Sequence, residues 1–299
     1  MLTTCSSHHV PALCGDKDAA PTAPGAVGSN SELSMDSSQE ISDFYALIRD
    51  YWCDLSSVGA SERSCMLNFG FWPEGVETLH EAQQAFLDRI LLDVPQLPTG
   101  QCGLEIGCGI GGISINVLLR RTGVHMTALD IAEPQLALAR GNAARYGVQD
   151  RFIGVAGNSM ELPLGDAQFD FSLCIESSFH YDDKERFLRE AFRTLKPGGL
   201  MVLADITCRR IDAIRFRQGN HFESPETYLR LVEKTGFELQ SAQDIGPQVY
   251  GPLYRFLSEF NLTQRSAVSR YWSLVLSNYS QLVASGDMGY YVFTLRKPL

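Results

Sequence analysis

A glycine-rich loop after the first buried apolar segment offers the clearest chemistry in the sequence. Residues 104–112 read LEIGCGIGG, an apolar stretch that runs into an acid and then into four glycines. Glycines at Gly107, Gly109 and Gly111 let the backbone turn sharply and approach a ligand without a Cβ in the way. The helix predicted near 111–121 begins with free N–H groups and a positive dipole end. The loop therefore predicts a site for a nucleotide-like cofactor with an anionic end.

Two acids decide which cofactor the loop favours. Gly107, Gly109 and Gly112 also satisfy the dinucleotide pattern G-x-G-x-x-G, so the loop alone leaves both options open. The next predicted strand ends in Asp130, whose carboxylate can accept hydrogen bonds from both ribose hydroxyls, as either cofactor needs. Glu105 stands two residues before the first glycine, where a dinucleotide fingerprint usually has an apolar residue. An acid at that position favours a ligand with a free ammonium group.

The remaining motifs resemble those of class I S-adenosylmethionine-dependent methyltransferases. Asn158-Ser159, Phe169-Asp170 and the run LKPGG at 195–199 complete the motif series that begins at the glycine loop. The resemblance covers roughly residues 65–245 and implies a Rossmann-like seven-stranded sheet, methyl transfer, and S-adenosyl-L-methionine as cofactor. It implies cofactor contacts for Glu105, Gly107, Gly109, Gly111, Asp130, Ile131, Asn158, Ser159 and Cys174.

Asn158 departs from the family's common pattern. An aspartate often stands at that position and accepts a hydrogen bond from the adenine amino group. The amide oxygen of Asn158 can still accept that bond, so cofactor binding should survive. The alternative is that Asn158 and Ser159 only form a turn after the third strand.

His180 is the residue best suited to proton transfer. It lies in the run ESSFHY, directly after the strand predicted at 169–175, at the carboxyl edge of the sheet beside the glycine loop. The backbone at Cys174 and Ile175 should reach the methionine end of the cofactor, which places His180 close to the transferring methyl group. An unperturbed imidazole titrates near physiological pH and can remove a proton from an acceptor hydroxyl. The alternative is an ordinary histidine with a structural role.

The same run is similar to that of antibiotic-sugar O-methyltransferases of the erythromycin and rebeccamycin types. The similarity extends through LKPGG at 195–199 and LAD at 203–205. In that group the histidine matching His180 is the proposed base, and the acid matching Asp205, at the end of the fifth strand, supports it. The resemblance therefore implies O-methylation of a small metabolite in natural-product biosynthesis.

Carbon methylation is the alternative within enzymes. Related loops occur in enzymes that methylate isoprenoids and other lipids at carbon, and these stabilise a carbocation with aromatic faces and carboxylates. Glu176, Tyr181 and the aromatic residues near the C-terminus could serve that chemistry. A cofactor-binding protein without methyl transfer is a further option, against which the complete glycine loop and His180 argue. An NAD-dependent reductase is another, against which Glu105 argues.

The elements that must position these residues alternate between strand and helix, which predicts an α/β fold with a doubly wound sheet. Residues 237–245 and 288–295 are predicted as the last two strands, a closing antiparallel pair. The other predicted strands lie near 102–107, 124–130, 151–156, 169–175 and 199–206, and the predicted helices near 111–121, 134–146, 183–196 and 225–235.

Two segments outside this core are predicted to cover the site. Apolar residues from Ile41 to Leu55 fall on one helical face and predict a helix of an N-terminal lid. An aromatic stripe before the last strand is more often core than binding wall, yet this insertion should lie beside the carboxyl ends of the strands, where ligands bind. The candidate substrate contacts are Trp72, Tyr181, Tyr254 and Trp272. The predicted division is a disordered tail at 1–38, a helical lid at 39–98, a cofactor-binding core at 99–246, a helical substrate cap at 247–286 and the last core strand at 287–299.

Composition limits the class of function. The 299 residues are 44% hydrophobic, enough for one or two domains with a sizeable core. The formal net charge of -10 argues against a nucleic-acid partner, because such binding relies on clustered Lys and Arg. The sequence has no apolar run long enough to span a membrane, and its first residues lack the pattern of a signal peptide. The eight scattered cysteines predict reduced thiols.

We therefore expect a cytoplasmic enzyme that acts on a small-molecule acceptor without stable membrane insertion. The sequence near the motifs has no His, Asp or Glu cluster with ligand spacing, so no metal is expected. The acceptor and the oligomeric state stay open at this point, with a homodimer one option.

Overall fold

The computed structural model describes residues 48–58, 60, 64–94, 100–215, 220–263 and 267–299, with only the backbone described at 261–263 and 267. The predicted tail at 1–38 and the first residues of the predicted lid helix, from Ile41 to Leu47, lie outside the described residues. The described helices are α1 (48–55), α2 (Leu79–Leu92), α3 (Gly112–Arg120), α4 (Glu133–Arg145), α5 (Lys184–Thr194), α6 (Pro225–Thr235), α7 (Tyr250–Thr263) and α8 (Ala267–Ala284).

Seven strands form one sheet in the order β3-β2-β1-β4-β5-β7-β6. The first five strands are parallel, and β7 is antiparallel to both β5 and β6. This confirms the predicted doubly wound fold with a closing antiparallel pair. The strands are β1 (Gln101–Ile106), β2 (Val124–Asp130), β3 (Phe152–Ala156), β4 (Phe169–Ile175), β5 (Leu195–Cys208), β6 (Glu238–Asp244) and β7 (Met288–Arg296).

The run LKPGG corrects one predicted boundary. The sequence predicts a helix to 196, with Gly198 and Gly199 as its stop before a strand at 199–206, but α5 ends at Thr194 and β5 begins at Leu195. Leu195 pairs with Phe169 of β4, and the register then shifts before the regular ladder resumes at Leu200. Gly198 has a φ of 76°, which accommodates the irregular backbone at this point. Sheet pairing therefore starts earlier than the local helix-stop pattern indicates.

Apolar residues pack against both faces of the sheet. One core contains Phe86 of α2 and Val117 of α3, and the other contains Phe187 of α5 and Val232 of α6. The helices bury these side chains because their apolar residues recur at helical spacing, as at Phe187, Leu188 and Ala191. The core holds the carboxyl ends of the parallel strands in one row, which is where the predicted site residues lie.

The segments before β1 and before β7 pack on each other above this row. Trp52 of α1 and Trp272 of α8 make an edge-to-face contact, with ring centroids 5.0 Å apart. Phe69, from the loop between α1 and α2, lies 5.9 Å from Trp272 and 6.1 Å from Tyr250 of α7 by the same measure. Aromatic pairs of this geometry are favourable beyond their buried area. They hold α1, the loop and the two late helices as one apolar cover in the described structure.

Candidate active site

The glycine loop joins the ends of β1 and β2. The backbone N–H groups of Gly107 and Cys108 both donate to the carbonyl of Leu129, at 2.8 and 2.9 Å. Gly107 has a φ of 78°, and a Cβ at that position would overlap the side chain of Ser177. Glycine is therefore required there both by the backbone conformation and by the close approach of the loop after β4.

Asp130 fastens the same loop from the other side. Its Oδ2 accepts a hydrogen bond from the N–H of Gly109 at 2.8 Å, and its Oδ1 accepts from the N–H of Ala132 at 2.9 Å. Burial raises the pKa of this carboxyl, although the hydrogen bonds act in the opposite direction. Ile131, the next residue, leaves 43% of its surface exposed. A partly buried acceptor thus lies beside an exposed apolar side chain at the end of β2.

Glu105 holds the start of α3. Its Oε2 accepts hydrogen bonds from both the backbone N–H and the hydroxyl of Ser114, the former at 2.9 Å. Burial is the main reason why the pKa of Glu105 is raised to about 8. The contacts described for this acid are those of a helix cap, which fixes the direction of the first turn of α3 toward the loop.

The two remaining predicted cofactor residues after β3 form a turn. Asn158 Oδ1 accepts from the N–H of Met160 at 2.9 Å, and Asn158 forms an isolated bridge with Glu161. Ser159 is buried beside it. Cys174, near the end of β4, is also buried, and its Sγ lies 4.0 Å from the hydroxyl of Tyr181. The turn geometry that the sequence offered as the alternative for Asn158 and Ser159 is present.

Glu176 follows β4 in an unusual backbone conformation. Its φ is 48°, a left-handed value that is rare for a residue with a side chain and that recurs at functional sites. Its Oε1 accepts from the N–H of Phe69 at 2.8 Å and from the hydroxyl of Tyr290 at 2.9 Å. Burial raises the pKa of Glu176 to about 8, with the two hydrogen bonds opposing the shift. The side chain therefore carries a proton at neutral pH.

His180 ends the short 3₁₀ turn Ser178–His180, which we call the His180 turn. The imidazole is hydrogen-bonded to the side chain of Asn220 and packs on the ring of Phe179, with centroids 4.1 Å apart. Burial lowers its pKa to about 3, and the charges of Lys184 and His221 act in the same direction. This corrects the titration near physiological pH expected from sequence. The buried imidazole is neutral throughout the physiological range.

Asp205 lies behind the His180 turn. Its Oδ2 accepts from the hydroxyl of Ser178 and from that of Tyr228, the latter at 3.5 Å, and its Oδ1 accepts from the N–H of Ile206 at 2.8 Å. Burial raises the pKa of this carboxyl to about 6. These contacts connect Asp205 to the turn through Ser178, whereas the imidazole of His180 has Asn220 as a partner.

An aromatic cavity opens beside the His180 turn. Its polar wall groups are Glu176, His180, Asn220 and Arg49. Arg49, on α1, also contacts Asp50 at 3.4 Å. The aromatic rings in the wall come from α1, the loop before α2, the His180 turn and α8, and they are those of Trp52, Phe69, Phe179, Tyr271, Trp272 and Tyr279.

The structure separates the four candidate substrate contacts. Trp272 forms part of the cavity wall. Trp72 instead packs on Phe256 and donates its indole N–H to the carbonyl of Phe69 at 3.0 Å. Tyr181 lies by the glycine loop and bonds Ser177 through its hydroxyl at 2.6 Å. Tyr254 is half-buried on α7 and packs against the apolar core. The cavity wall therefore includes Trp272 and none of the other three.

A family model described as "Methyltransferase domain" matches residues 104–203, the stretch from β1 to β5 that contains the glycine loop and the His180 turn. The 27-O-demethylrifamycin SV methyltransferase of Amycolatopsis mediterranei (strain S699) is 28% identical to the chain over 246 residues. That alignment covers 78% of this chain and 90% of the relative. The chain is a class I S-adenosylmethionine-dependent methyltransferase.

Solved structures share the fold of this methyltransferase. The [4+2]-cyclase SpnF superposes with a TM-score of 0.72 at 23% identity, over 88% of this chain and 96% of the cyclase. A geranyl diphosphate C-methyltransferase from Streptomyces coelicolor A3(2), solved with Mg²⁺, geranyl-S-thiolodiphosphate and S-adenosyl-L-homocysteine, superposes with a TM-score of 0.69. It is 16% identical, and the match covers 85% of this chain and 98% of that enzyme. One fold thus serves different reactions in these neighbours.

The loop residues of the methyltransferase fit S-adenosyl-L-methionine. A Cβ placed at Gly109 would meet the Cδ1 of Leu67 at 3.7 Å, an ordinary contact distance, so the backbone of the loop is open to a ligand there. Asp130 presents a carboxylate to the same space, and the exposed side chain of Ile131 offers an apolar surface for a flat base. Within the part of the chain that the structure describes, His, Cys, Asp and Glu form no cluster of three or more that could hold a metal ion.

Three of the four polar residues in the cavity wall, Arg49, Glu176 and Asn220, were outside the predicted site. The sequence indicated a role for Glu176 only in carbon methylation. An acid directly after a buried strand could also have been predicted as a site residue. Asn220 had no signal of its own, because it lies far along the chain from His180 and reaches it only in the folded structure.

Proposed function

We propose that this methyltransferase methylates a hydroxyl oxygen of a bulky, largely apolar small molecule that binds in the aromatic cavity. The observation that carries the proposal is a neutral imidazole, that of His180, in the wall of a cavity otherwise lined mostly by aromatic and aliphatic side chains. The cavity adjoins the segment after β4, which also packs on the glycine loop through Ser177 and Gly107. Acceptor and cofactor sites would then meet at the His180 turn.

The cavity wall supports an apolar acceptor. Six aromatic rings and four aliphatic side chains line the cavity, and burying apolar area is favourable at roughly 25 cal/mol per Å². Four polar residues could orient such a ligand, which is the usual division in small-molecule sites. We propose α1 as part of the lid (39–98) and helices α7 and α8 as the substrate cap (247–286). One relative, the 27-O-demethylrifamycin SV methyltransferase, has a name that indicates O-methylation of a natural product. It supports an oxygen atom as the methyl acceptor here.

We assign His180 the role of general base. A neutral imidazole has one ring nitrogen that can accept a proton, and the structure places this ring in the wall of the cavity. When bound, S-adenosyl-L-methionine supplies a methyl group on a positively charged sulfonium, whose charge is lost as the methyl leaves. His180 can therefore take up the hydroxyl proton without raising the net charge of the buried site. Asp205, linked to the same turn through Ser178, would favour the charged imidazole through its own negative charge.

Glu176 and the aromatic wall favour one second candidate, the C-methylation of an isoprenoid or lipid. Aromatic faces attract cations, and a carboxylate in the same cavity could face a developing carbocation. The proton on Glu176 at neutral pH weakens this candidate, because a neutral acid stabilises a cation poorly. A cofactor-binding protein without catalysis remains the least supported option, since Glu105, Asp130 and His180 are all in place.

We further propose a cytoplasmic enzyme with a small-molecule acceptor, no nucleic-acid partner and no metal requirement. Six cysteines of the described residues are free thiols, and most are buried, which supports a reducing compartment. The net charge of -10 supports the absence of a nucleic-acid partner. Among the described helices, none is both long enough and apolar enough to cross a membrane.

The test is product analysis. The purified protein would be incubated with S-adenosyl-L-methionine carrying a ¹³C methyl group and a panel of hydroxylated macrolides, polyketides and terpenoids, with geranyl diphosphate as the carbon-methylation probe. We expect a labelled methyl signal at the chemical shift of an ether on a hydroxylated acceptor. A new C–C methyl signal would overturn the oxygen assignment, and the absence of any labelled product with cofactor still bound would support the non-catalytic option.

A further inference from the structure

Lys184 is a buried lysine at the first position of α5. Only 4% of its surface is exposed, although lysine is rarely buried without partners. Its Nζ donates to the carbonyl of Tyr181 and to the carbonyl of His221, the latter at 2.7 Å. An ammonium group has three donors, so it can connect two carbonyls from different segments, as a neutral apolar side chain could not.

The two carbonyls belong to the two segments that bring His180 and Asn220 together. Tyr181 directly follows the His180 turn, and His221 directly follows Asn220. The segments touch at one other backbone contact, where the N–H of His221 donates to the carbonyl of Phe179 at 2.6 Å. The ammonium of Lys184 is therefore a third side-chain link between the segment at 220–223 and the His180 turn, beside the Asn220–His180 hydrogen bond and the contact of Phe222 with Phe179.

The far end of segment 220–223 is fastened independently. The carbonyl of Glu223 accepts from the N–H of Cys208 at 2.9 Å, and Glu223 forms a bridge with Thr207 of β5. Phe222 stacks on Phe179, with centroids 5.8 Å apart and rings inclined by 18°. These contacts keep the segment folded when the lysine is changed. Asn220 lies at the opposite end of the segment, next to His221, whose carbonyl Lys184 holds.

The charges around Lys184 compensate its burial. Burial lowers the pKa of Lys184 to about 8, and attraction by the carboxylates of Asp205 and Glu223 opposes that shift, with smaller contributions from Cys174 and Asp182. The positive charge of Lys184 in turn disfavours a second positive charge on His180. The lysine thus acts on the imidazole both through position and through charge.

We propose that Lys184 is a positioning residue for the methyl transfer. Its ammonium holds segment 220–223 against the His180 turn and so keeps the Asn220 side chain on the imidazole of His180. The proposal rests on the proposed function, in which His180 is the base. It extends that function by assigning the orientation of the base to a residue that faces neither cofactor nor acceptor.

A double-mutant cycle tests this coupling. The variants are Lys184→Met, which keeps the length of the side chain without its donors, Asn220→Ala, and both together, with Lys234→Met as the control. Lys234 is an exposed lysine of α6. Its Nζ pairs with Glu185 of α5, the residue that follows Lys184. If Lys184 acts through Asn220, each single change should lower kcat about tenfold and the double change should lower it little further. The dissociation constant of S-adenosyl-L-methionine should stay within about twofold, and Lys184→Arg should restore most of the turnover.

A second measurement separates this proposal from the proposed function. In protein labelled with ¹³C histidine, the His180 ring signal should move both in Lys184→Met and in Asn220→Ala, and should not move in Lys234→Met. Multiplicative kcat losses, or a His180 signal unchanged in Lys184→Met but moved in Asn220→Ala, would overturn the positioning role. Full turnover in His180→Ala would overturn the proposed function instead. If Lys184→Met does not fold, Lys184→Gln, which keeps a donor but not the charge, carries the same comparison.

Discussion

The carboxyl group of Glu176 accepts a hydrogen bond from the backbone N–H of Phe69 at 2.8 Å. This bond joins the end of β4 to the loop before α2, although the two segments lie far apart in the sequence. Tyr290 of β7 donates to the same oxygen at 2.9 Å. The cavity wall is thus connected to the central sheet through one buried acid in a left-handed backbone conformation.

Substitution of Glu176 should separate its structural role from a role in catalysis. Glu176→Gln keeps an acceptor oxygen and the neutral state, so turnover should stay within a few-fold of the parent. Glu176→Ala leaves two buried donors without their acceptor and should lower the free energy of unfolding by about 1–3 kcal/mol. Urea unfolding and initial rates measure the two effects, with the exposed Glu233→Ala as control. A loss of turnover of about 100-fold in Glu176→Gln would favour the carbocation chemistry of carbon methylation.

Stability should fall as the pH rises from 6.5 to 8. The pKa values of Glu105 and Glu176 are raised to about 8 in the folded protein from 4.5, so the folded state retains protons that the unfolded state has lost. The stabilisation by these retained protons is complete below pH 4.5, the pKa of both acids in the unfolded chain. It is lost as the pH rises through about 8, their pKa in the folded protein. His180, whose pKa is lowered from 6.5 to about 3, and Lys184, whose pKa is lowered from 10.5 to about 8, act in the opposite direction, but each changes the free energy of unfolding by only about 0.4 kcal/mol across this window.

Urea unfolding midpoints at pH 6.5 and pH 8 measure this dependence. The decrease should be smaller in Glu176→Gln, which has no proton to lose, and unchanged in Glu233→Ala. A midpoint that rises across the window in the parent protein would contradict the assigned protonation of the two buried acids.

Asp130→Ala should weaken cofactor binding. The substitution removes the proposed acceptor of the ribose hydroxyls and also the carboxylate that holds the N–H groups of Gly109 and Ala132. A lost charged hydrogen bond corresponds to roughly a 10- to 100-fold increase in the dissociation constant of S-adenosyl-L-methionine. Isothermal titration measures it, with Asp150→Ala, an exposed aspartate after α4, as the control. Equal affinity in both variants would show that Asp130 is not a cofactor contact.

Methyl transfer should not depend on a metal ion. Turnover measured after dialysis against EDTA should equal that of the untreated enzyme, since the described residues lack a cluster with the composition of a metal site. Activity that is lost on dialysis and restored by Mg²⁺ would point to ligands elsewhere in the chain or on the acceptor itself.

The cofactor side of the site could be predicted from the sequence because its determinants are local. Gly107 must adopt a positive φ and approach Ser177 closely, and Asp130 must end a strand that pairs with β1, so residue types at fixed spacing reveal both. The doubly wound sheet also follows from the alternation of strands and helices. The start of β5 at Leu195 was missed because pairing with Phe169 overrides a local helix-stop pattern.

The acceptor side could not be predicted in the same way. The sequence predicts Trp72 and Trp272 equally well as substrate contacts. Only the packing of α1 against α8 places Trp272 in the cavity wall, whereas Trp72 packs on Phe256. The low pKa of His180 likewise depends on burial and on Lys184, which are properties of the folded chain. Residue type alone predicts an imidazole that titrates near neutrality.

The most direct test of His180 as the base is the turnover of His180→Ala with an acceptor identified by product analysis, at saturating S-adenosyl-L-methionine. An acceptor hydroxyl attacks poorly while it keeps its proton, so turnover should fall by about 10²–10⁴. The dissociation constant of the cofactor should stay nearly unchanged, and Asp205→Asn should give a smaller loss of turnover. Because the pKa of His180 is about 3, the parent enzyme should show no increase in turnover from the ionisation of this histidine between pH 6 and 8. Full turnover in His180→Ala would contradict the assignment of His180 as the base.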